Sequence, residues 1–246
     1  MSILWNIPPE PLTLDGDEVH MWRMTLDYPT SQRQELFRTL AEDERSRAAR
    51  FYFQRDRDRF VAARGALRAI LGKYLNVEPE QLLFQYNDYG KPRLVERFQK
   101  DELYFNVSHS QGMALIAVTR GREVGVDLEW IRPGFASEQI AERFFSPQEV
   151  NTLRALPQSI QDEAFFNCWT RKEAYIKAKG EGLSMPLHLF DVSLVPGEPS
   201  ALLSDKTNPE EPSRWSLRGL SPAPGFVGAV AAEGRDWQLK CWRWPK

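Results

Sequence analysis

The sequence predicts an α+β protein in which helices pack against small antiparallel sheets. Apolar residues recur every three or four positions over residues 30–75, 137–156 and 165–182, which is the periodicity of helices buried along one face. Over residues 103–130 and 214–244, short apolar runs alternate with glycine-containing turns, which is typical of antiparallel strands. Helices and strands are thus grouped in separate segments, and this arrangement indicates the α+β class.

The composition is that of an ordinary folded protein. The 246 residues suffice for one large domain or two closely joined small ones. With 32 Lys and Arg against 34 Asp and Glu, the formal charge is -2, so no overall positive field attracts nucleic acid or an anionic membrane. We therefore expect neither partner, and any site for a polyanion must be local.

The cysteines and the N-terminus bear on the compartment. Cys168 and Cys241 lie far apart in apolar segments, which favours reduced core thiols over a disulfide framework. No stretch reaches the roughly 18 apolar residues of a membrane span, and the first residues lack the pattern of a secretory signal. We expect a cytoplasmic protein.

The first 95 residues predict one strand, several helices and a strand pair. Residues 19–26 alternate as a half-buried strand does, and residues 30–75 have helical periodicity. Eight arginines between Arg45 and Arg68 form either a solvated surface or a dock for phosphate, and the pattern leaves both open. Residues 81–95 read as strand, turn and strand, with Lys91 at the tip of the turn.

Three strands are predicted next, at residues 103–108, 113–119 and 124–130. The short joints between them contain glycine, so we expect consecutive strands to pair as an antiparallel meander. The middle run is apolar on both faces and should be the most buried of the three.

The remaining residues predict helices, a loop and a second group of strands. The segment Ser146-Pro147-Gln148-Glu149 has the cap, first-turn proline and N3 glutamate that begin a helix. Residues 196–212 have loop composition, and three strand patterns follow them, at residues 214–220, 225–232 and 237–244. Each half of the chain therefore carries helices and a few strands, which suggests internal duplication.

Two carboxylates alternate on the strand at residues 124–130. Because successive side chains of a strand point to opposite faces, Asp127 and Glu129 project side by side while the apolar residues bury the other face. Paired oxygen ligands two residues apart suit Mg²⁺. A solvated strand face would show the same pattern, and the pattern alone does not decide between them.

A helix rich in lysine carries further candidates. Glu173 and Lys177 lie four residues apart and share one face. If this face meets Asp127 and Glu129, Glu173 completes a three-carboxylate cation site, and Lys172 and Lys177 supply positive charge for phosphate oxygens. The alternative is a surface helix with ordinary salt bridges.

Several common sites are not indicated. His109 ends a strand between two serines, where it is either a functional residue or a turn histidine. The three histidines and two cysteines lack zinc spacing, and no nucleophile elbow, P-loop or Rossmann fingerprint occurs.

Five motifs, in order, resemble the larger, two-lobed, surfactin-synthetase-activating type of 4'-phosphopantetheinyl transferase. They are YGKP (89–92), NVSHS (106–110), GVDLE (125–129), RFFSPQE (143–149) and WTRKEAYIKAKGEGL (169–183). The resemblance implies an enzyme that moves the 4'-phosphopantetheine arm of coenzyme A to a serine of an apo acyl or peptidyl carrier protein. It also implies a monomeric pseudo-dimer, with residues 1–120 and 121–246 as halves and coenzyme A in the cleft between them.

The resemblance also implies roles for individual residues. Asp127, Glu129 and Glu173 match the family's magnesium ligands, for which Mn²⁺ is an alternative ion, and Lys177 matches its active-site lysine. We expect catalytic roles for Glu173, Lys177 and His109. The residues that match coenzyme A contacts are Gly90, Lys91, Pro92, Ser108, His109 and Lys177, with Arg47 and Arg50 in the segment that docks the 3'-phosphate.

Two other classes of function stay open from the sequence. A magnesium-dependent phosphohydrolase or nuclease could use the same carboxylates and arginines. A coenzyme A or nucleotide binding module would keep them only as salt bridges.

Overall fold

The structure is a computed structural model that describes residues 4–135 and 138–245, without the side chains of residues 99–101, 138 and 183. The helices are α1 Thr30–Arg38, α2 Glu42–Ala49, α3 Gln54–Leu75, α4 Glu138–Phe144, α5 Pro147–Ala155, α6 Gln158–Lys179 and α7 Glu211–Arg214. The strands are β1 Glu18–Thr25, β2 Phe84–Tyr86, β3 Pro92–Leu94, β4 Leu103–Ser110, β5 Met113–Arg120, β6 Val124–Trp130, β7 Phe190–Val192, β8 Leu202–Asp205, β9 Trp215–Leu220, β10 Phe226–Glu233 and β11 Gln238–Arg243. The fold is mixed α+β, as the sequence predicts.

The first sheet has the order β11-β1-β5-β4. The pairs β1–β5 and β4–β5 are antiparallel, whereas β11 runs parallel to β1. β5 is buried along almost its whole length, as its apolar pattern predicts. The last strand of the chain therefore completes the sheet that the N-terminal half begins. The predicted division of the chain into two halves at residue 120 stays a prediction.

The second sheet has the order β6-β10-β9, and both of its pairs are antiparallel. The predicted meander is therefore wrong at its second joint, because β6 pairs with β10 and not with β5. The turn after β5 only reverses the chain; the backbone partner of β6 comes from a segment about a hundred residues later.

The two sheets pack face to face and each has a long helix on its outer side. A cluster with Val19, Met21 and Leu115 from the first sheet and Val126 and Val230 from the second fills the space between them. α3 packs on the outer face of the first sheet and α6 on the outer face of the second. This alternation within β1, β5, β6 and β10 follows the period of two that strands impose.

The ends of several elements differ from or extend the sequence interpretation. Ser146 is the N-cap of α5, and Glu149 completes the predicted capping box. The segment 196–212 is not all loop, because β8 lies within it and α7 begins there. Ser137, predicted to begin a helical region, lies outside the described residues.

In the described part of the chain, no helix has the length and apolar character needed to cross a membrane.

Candidate active site

The site begins with a close approach between β6 and α6 that depends on Gly125. A Cβ atom added at Gly125 would lie 2.1 Å from the carbonyl oxygen of Ala174 and 2.3 Å from the amide nitrogen of Ala178. No larger residue fits without moving the helix. The absent side chain thus lets the backbone of α6 contact β6 directly, which brings the face with Glu173 and Lys177 next to the strand's carboxylates.

Lys177 joins α6 to Asp127 and to β4. Its Nζ lies 2.6 Å from Asp127 Oδ1 and 3.2 Å from Ser108 Oγ, and the Ser108 hydroxyl donates to the same carboxylate oxygen at 2.9 Å. Asp127 is 4% exposed. Its other oxygen, Oδ2, is buried and accepts no hydrogen bond. A buried carboxylate oxygen without a donor costs free energy unless a cation binds it.

Glu129 lies one step along β6 and is half-buried. Its Oε2 accepts a hydrogen bond of 3.1 Å from the hydroxyl of Ser110. Burial and, next, the charge of Asp127 raise the pKa of Glu129. Both causes disfavour a second negative charge in this place, as expected where carboxylates crowd together.

Glu173 faces the cleft, and among the described residues its carboxylate has no hydrogen bond or ion pair. Burial, followed by the negative charge of Asp127, raises its pKa to about 7, and Lys177 opposes this shift. Asp127 and Glu129 both act on Glu173. The three acidic side chains therefore share one electrostatic environment, as the opposite-face argument for β6 anticipates.

The three carboxylates do not form a preassembled cluster of ligand atoms. Within the described ranges, three acidic ligand atoms lie within 4.8 Å of one another only at Asp15, Asp17 and Glu18, which belong to β1 and the turn before it. Glu18 is paired there with His20 and Lys240. At the predicted site, the ammonium group of Lys177 is the cation bound to Asp127.

A cleft of about 390 Å³ opens beside these groups. It is lined by Tyr89, Gly90, Lys91, Pro92, Asn106, Val107, Glu173, Ile176, Lys177, Gly180 and Gly182. The side chain of His109 is exposed. Desolvation by the surrounding protein and, next, the charge of Lys177 lower the pKa of its imidazole. The cleft thus brings together residues from the β2–β3 turn, from β4 and from α6.

Lys91 is not a free cation at a loop tip. Its Nζ lies 2.9 Å from Glu123 Oε2 and donates to the carbonyl oxygen of Ala178 at 3.0 Å, and its side chain is 8% exposed. Asn87 donates to the carbonyl oxygen of Gly180 at 2.8 Å. Both contacts satisfy carbonyl groups at the C-terminal end of α6, where such groups lack helical partners. The turn is thereby tied to α6.

Lys172 differs from the expectation that it serves phosphate oxygens. It is completely buried, and its Nζ lies 2.8 Å from Glu149 Oε2 and donates to the carbonyl oxygens of Leu187 and Phe190. Five residues advance a helix by about 140° around its axis, so Lys172 and Lys177 point in different directions. Lys172 faces the core between α5 and β7, and no phosphate reaches it there.

Arg47 on α2 and Arg50, the residue that caps its C-terminus, are exposed and line a neighbouring groove with Tyr86. Glu44, on the same helix, is buried and paired with Arg64 and Arg68, so it does not neutralise the two exposed arginines. Tyr86 pairs with Pro92 across the β2–β3 ladder, and Pro92 lines the cleft. The groove and the cleft therefore lie next to each other.

Sequence reasoning missed the polar side chains that support the site. Asn106 and Ser110 on β4 and Glu123 before β6 all contact site residues or their strand. The alternation of polar residues at 106, 108 and 110 was the available signal, because it places three polar groups on one face of an otherwise apolar strand.

Two family models match the chain. The model of the 4'-phosphopantetheinyl transferase superfamily matches residues 123–232, and the N-terminal model of 4'-phosphopantetheinyl transferases matches residues 27–120. The chain is 48% identical over 240 residues to 4'-phosphopantetheinyl transferase HetI of Nostoc sp., with 98% of each protein covered. The chain belongs to the 4'-phosphopantetheinyl transferase family. The resemblance of its five motifs is thereby confirmed.

This transferase has further relatives. It is 31% identical over 214 residues to 4'-phosphopantetheinyl transferase Sfp of Bacillus subtilis strain 168, which covers 86% of this chain and 91% of that protein. A crystal structure of holo-[acyl-carrier-protein] synthase from Thermotoga maritima matches 46% of this chain and 63% of that one, with a TM-score of 0.34 and 18% identity. As a family member, the protein is an enzyme that transfers a phosphopantetheine group to carrier proteins, and the family uses coenzyme A as substrate.

Proposed function

We propose that the enzyme transfers the 4'-phosphopantetheine arm of coenzyme A to a serine of an apo acyl or peptidyl carrier protein in a reaction that depends on Mg²⁺, with Mn²⁺ as an alternative ion. The products are holo carrier and adenosine 3',5'-bisphosphate. The observation that carries the metal requirement is the buried Oδ2 of Asp127, which has no hydrogen-bond partner, on a carboxylate whose charge acts on Glu129 and Glu173. Carboxylate oxygens are the ligands that Mg²⁺ prefers.

Asp127, Glu129 and Glu173 would hold the ion. When bound, a divalent cation supplies charge stabilisation to the oxygens of a diphosphate during displacement. All three side chains offer hard oxygen donors, which fit this role, and none of the three positions carries a cysteine or a histidine.

The protein's own residues account for the other requirements. The hydroxyl oxygen of the carrier serine forms a bond to the β-phosphorus of coenzyme A. The bond from this phosphorus to the bridging oxygen breaks, and adenosine 3',5'-bisphosphate leaves with that oxygen. Glu173, directly or through a water molecule, is our first candidate for the base that takes the serine proton, because its carboxylate faces the cleft free of hydrogen bonds. Lys177 stabilises the phosphoryl charge or assists the proton transfer.

Coenzyme A would occupy the cleft beside Gly90, Pro92, Ser108 and His109. The adjacent groove supports a role for Arg47 and Arg50 in binding the 3'-phosphate, because both arginines are exposed there and Glu44 is paired with Arg64 and Arg68; Asp43 is the other carboxylate that lines the groove. For Lys91 we propose a role through its backbone and stem, since its ammonium group is already bound by Glu123 and Ala178. The division into two halves, the pseudo-dimer, the monomeric state and the cytoplasmic location remain part of this proposal.

Intact mass spectrometry tests the proposal. Apo carriers of fatty acid, polyketide and nonribosomal peptide type are incubated with the enzyme, coenzyme A and Mg²⁺. We expect at least one carrier to gain the mass of one phosphopantetheine arm, and we expect no gain after removal of divalent ions with EDTA. Undiminished transfer by a Glu173→Gln variant would reject the assignment of the base, and undiminished transfer in EDTA would reject the metal.

A further inference from the structure

A row of polar side chains bridges the two sheets where their edge strands meet. β4 and β6 do not share backbone hydrogen bonds. Instead, the side-chain oxygen of Asn106 accepts a hydrogen bond of 2.9 Å from the amide of Val126, and Ser108 donates to Asp127 at 2.9 Å. Ser110 is the next residue on the same face of β4. Side chains thus set the alignment of β6 along β4.

The hydroxyl group of Ser110 has a defined direction. Its oxygen accepts a hydrogen bond of 3.2 Å from the amide of Trp130 and donates one of 3.1 Å to Oε2 of Glu129. A serine hydroxyl rotates freely unless its partners restrict it. Because the amide of Trp130 occupies one acceptor position, the hydroxyl proton stays turned to Glu129.

The carboxylate of Glu129 depends on the hydrogen bond from Ser110 more than the carboxylate of Asp127 depends on any one of its partners. Among the described residues, Ser110 is the only hydrogen-bond donor to the Glu129 carboxylate. Two cations act on Glu129, first Arg132 and then Lys177; Arg132 lies over the ring of Phe135, and Lys177 is bound to Asp127 at 2.6 Å. A glutamate has three rotatable bonds, and repulsion from Asp127 and Glu173 favours rotamers that turn Glu129 away from both.

We propose that Ser110 is a positioning residue that restricts the Glu129 side chain on the face of β6 that carries Asp127, so that Glu129 moves less when the carboxylates close around a divalent cation. The inference rests on the proposed function, since it assigns Glu129 to the metal. Ser110 contacts Glu129 and acts through it. A donor in the shell around a metal ligand typically changes metal affinity by about 10- to 100-fold when it is removed.

Manganese binding gives a readout that a merely structural role would not change. Free Mn²⁺ is measured by electron paramagnetic resonance in the presence of enzyme and coenzyme A, without carrier. For Ser110→Ala we expect the dissociation constant to rise about tenfold. Ser110→Thr keeps the hydroxyl on a residue that strands favour, and it should restore the wild-type constant. At saturating Mn²⁺, carrier loading by Ser110→Ala should return close to the wild-type rate.

A double-mutant cycle and a matched control complete the test. In a Glu129→Gln background, adding Ser110→Ala should change the Mn²⁺ dissociation constant by less than about twofold, because the two residues act on one interaction. Ser216 lies on the far strand β9, and its hydroxyl donates to the carbonyl oxygen of Gly234; Ser216→Ala should leave Mn²⁺ binding unchanged. A Ser110→Ala enzyme with the wild-type constant would overturn the inference, even if its melting temperature falls. A wild type that binds no Mn²⁺ and loads carriers undiminished in EDTA would overturn both this inference and the proposed metal requirement.

Discussion

Lys177 on α6 and Asp127 on β6 are joined by a contact of 2.6 Å between Nζ and Oδ1. The side chain of Asp127 is 6% exposed and that of Lys177 is 29% exposed. The lysine thus compensates a nearly buried negative charge from its position at the edge of the cleft, and it leaves the second oxygen of that carboxylate unbound. The same pair ties the helix to the strand and presents a cation and an open ligand atom side by side.

Replacing Lys177 with methionine should therefore affect stability as well as transfer. In EDTA we expect the free energy of unfolding to fall by about 1–3 kcal/mol, because Asp127 loses its charged donor while staying buried. Mg²⁺ with coenzyme A should recover part of the loss. Urea denaturation measures both effects. Lys73→Met, at an exposed lysine without an ion pair among the described residues, is the control, and equal losses in the two variants would contradict the prediction.

The raised pKa of Glu173 predicts how stability depends on pH without divalent ions. The group titrates near 4.5 when unfolded and at about 7 when folded, so the folded protein binds the proton more tightly. Stability should therefore be highest below pH 4.5 as far as this group is concerned, and it should fall as the pH rises through 7. The loss is at most about 3 kcal/mol.

Glu173→Gln removes the titrating group and should reduce this fall. Denaturation at pH 5 and pH 8 in EDTA compares the two proteins, and Glu163→Gln, at an exposed glutamate of the same helix, is the control. If the Glu173→Gln protein loses as much stability between these pH values as wild type, the assignment of the shift to Glu173 is wrong.

The buried pair of Lys172 and Glu149 should be a structural element. Lys172→Met leaves the Glu149 carboxylate buried without its cation, for which we expect a loss of about 3–5 kcal/mol in the free energy of unfolding. The double variant Lys172→Met, Glu149→Met should lose less than the sum of the single variants. Urea denaturation at low temperature measures the cycle. Strict additivity would show that the two charges do not act on each other.

Gly125→Ala tests the contact between β6 and α6. The added methyl group would overlap the backbone of Ala174 and Ala178, so we expect a loss of about 3 kcal/mol or more and reduced Mg²⁺ affinity from displaced carboxylates. Gly16→Ala is the matched control, because a Cβ there meets nothing within 4 Å. Thermal unfolding and carrier loading at several Mg²⁺ concentrations measure the effects. A stable Gly125→Ala protein with normal loading would contradict the geometry.

Arg47 and Arg50 should act on one phosphate group of coenzyme A. Arg50→Ala and Arg47→Ala are each expected to weaken binding of coenzyme A about tenfold, and to change binding of dephospho-coenzyme A, which lacks the 3'-phosphate, much less. Calorimetry measures both ligands. Arg45→Ala is the control, since its guanidinium donates to the Arg38 carbonyl and Arg45 is not among the residues that line the groove. Equal losses for both ligands would place the arginines elsewhere on the cofactor.

Local patterns in the sequence predicted most of the secondary structure. Turn residues and capping residues act over a few positions, so the start of α5 at Ser146 and the strand pair around Lys91 could be recognised directly. The alternation in β6 also predicted that Val124, Val126 and Leu128 bury one face and that Asp127 and Glu129 share the other; for Trp130, expected on the buried face, the prediction is wrong, because this residue is 37% exposed. Side-chain period is a local property, and local properties are readable from the chain.

Only the tertiary structure decided which of these side chains meet. Helical periodicity shows that Lys172 and Lys177 point in different directions, but it does not say which of the two faces β6. Lys172 is turned into the core by its pairing with buried Glu149, and the close approach of α6 to Gly125 places Lys177 beside β6. The partner of β6 is β10 because the energy of packing two sheets depends on contacts between distant segments, which no turn signal encodes. The sequence by itself determined the elements and the family, and long-range packing determined where the charges of the site come together.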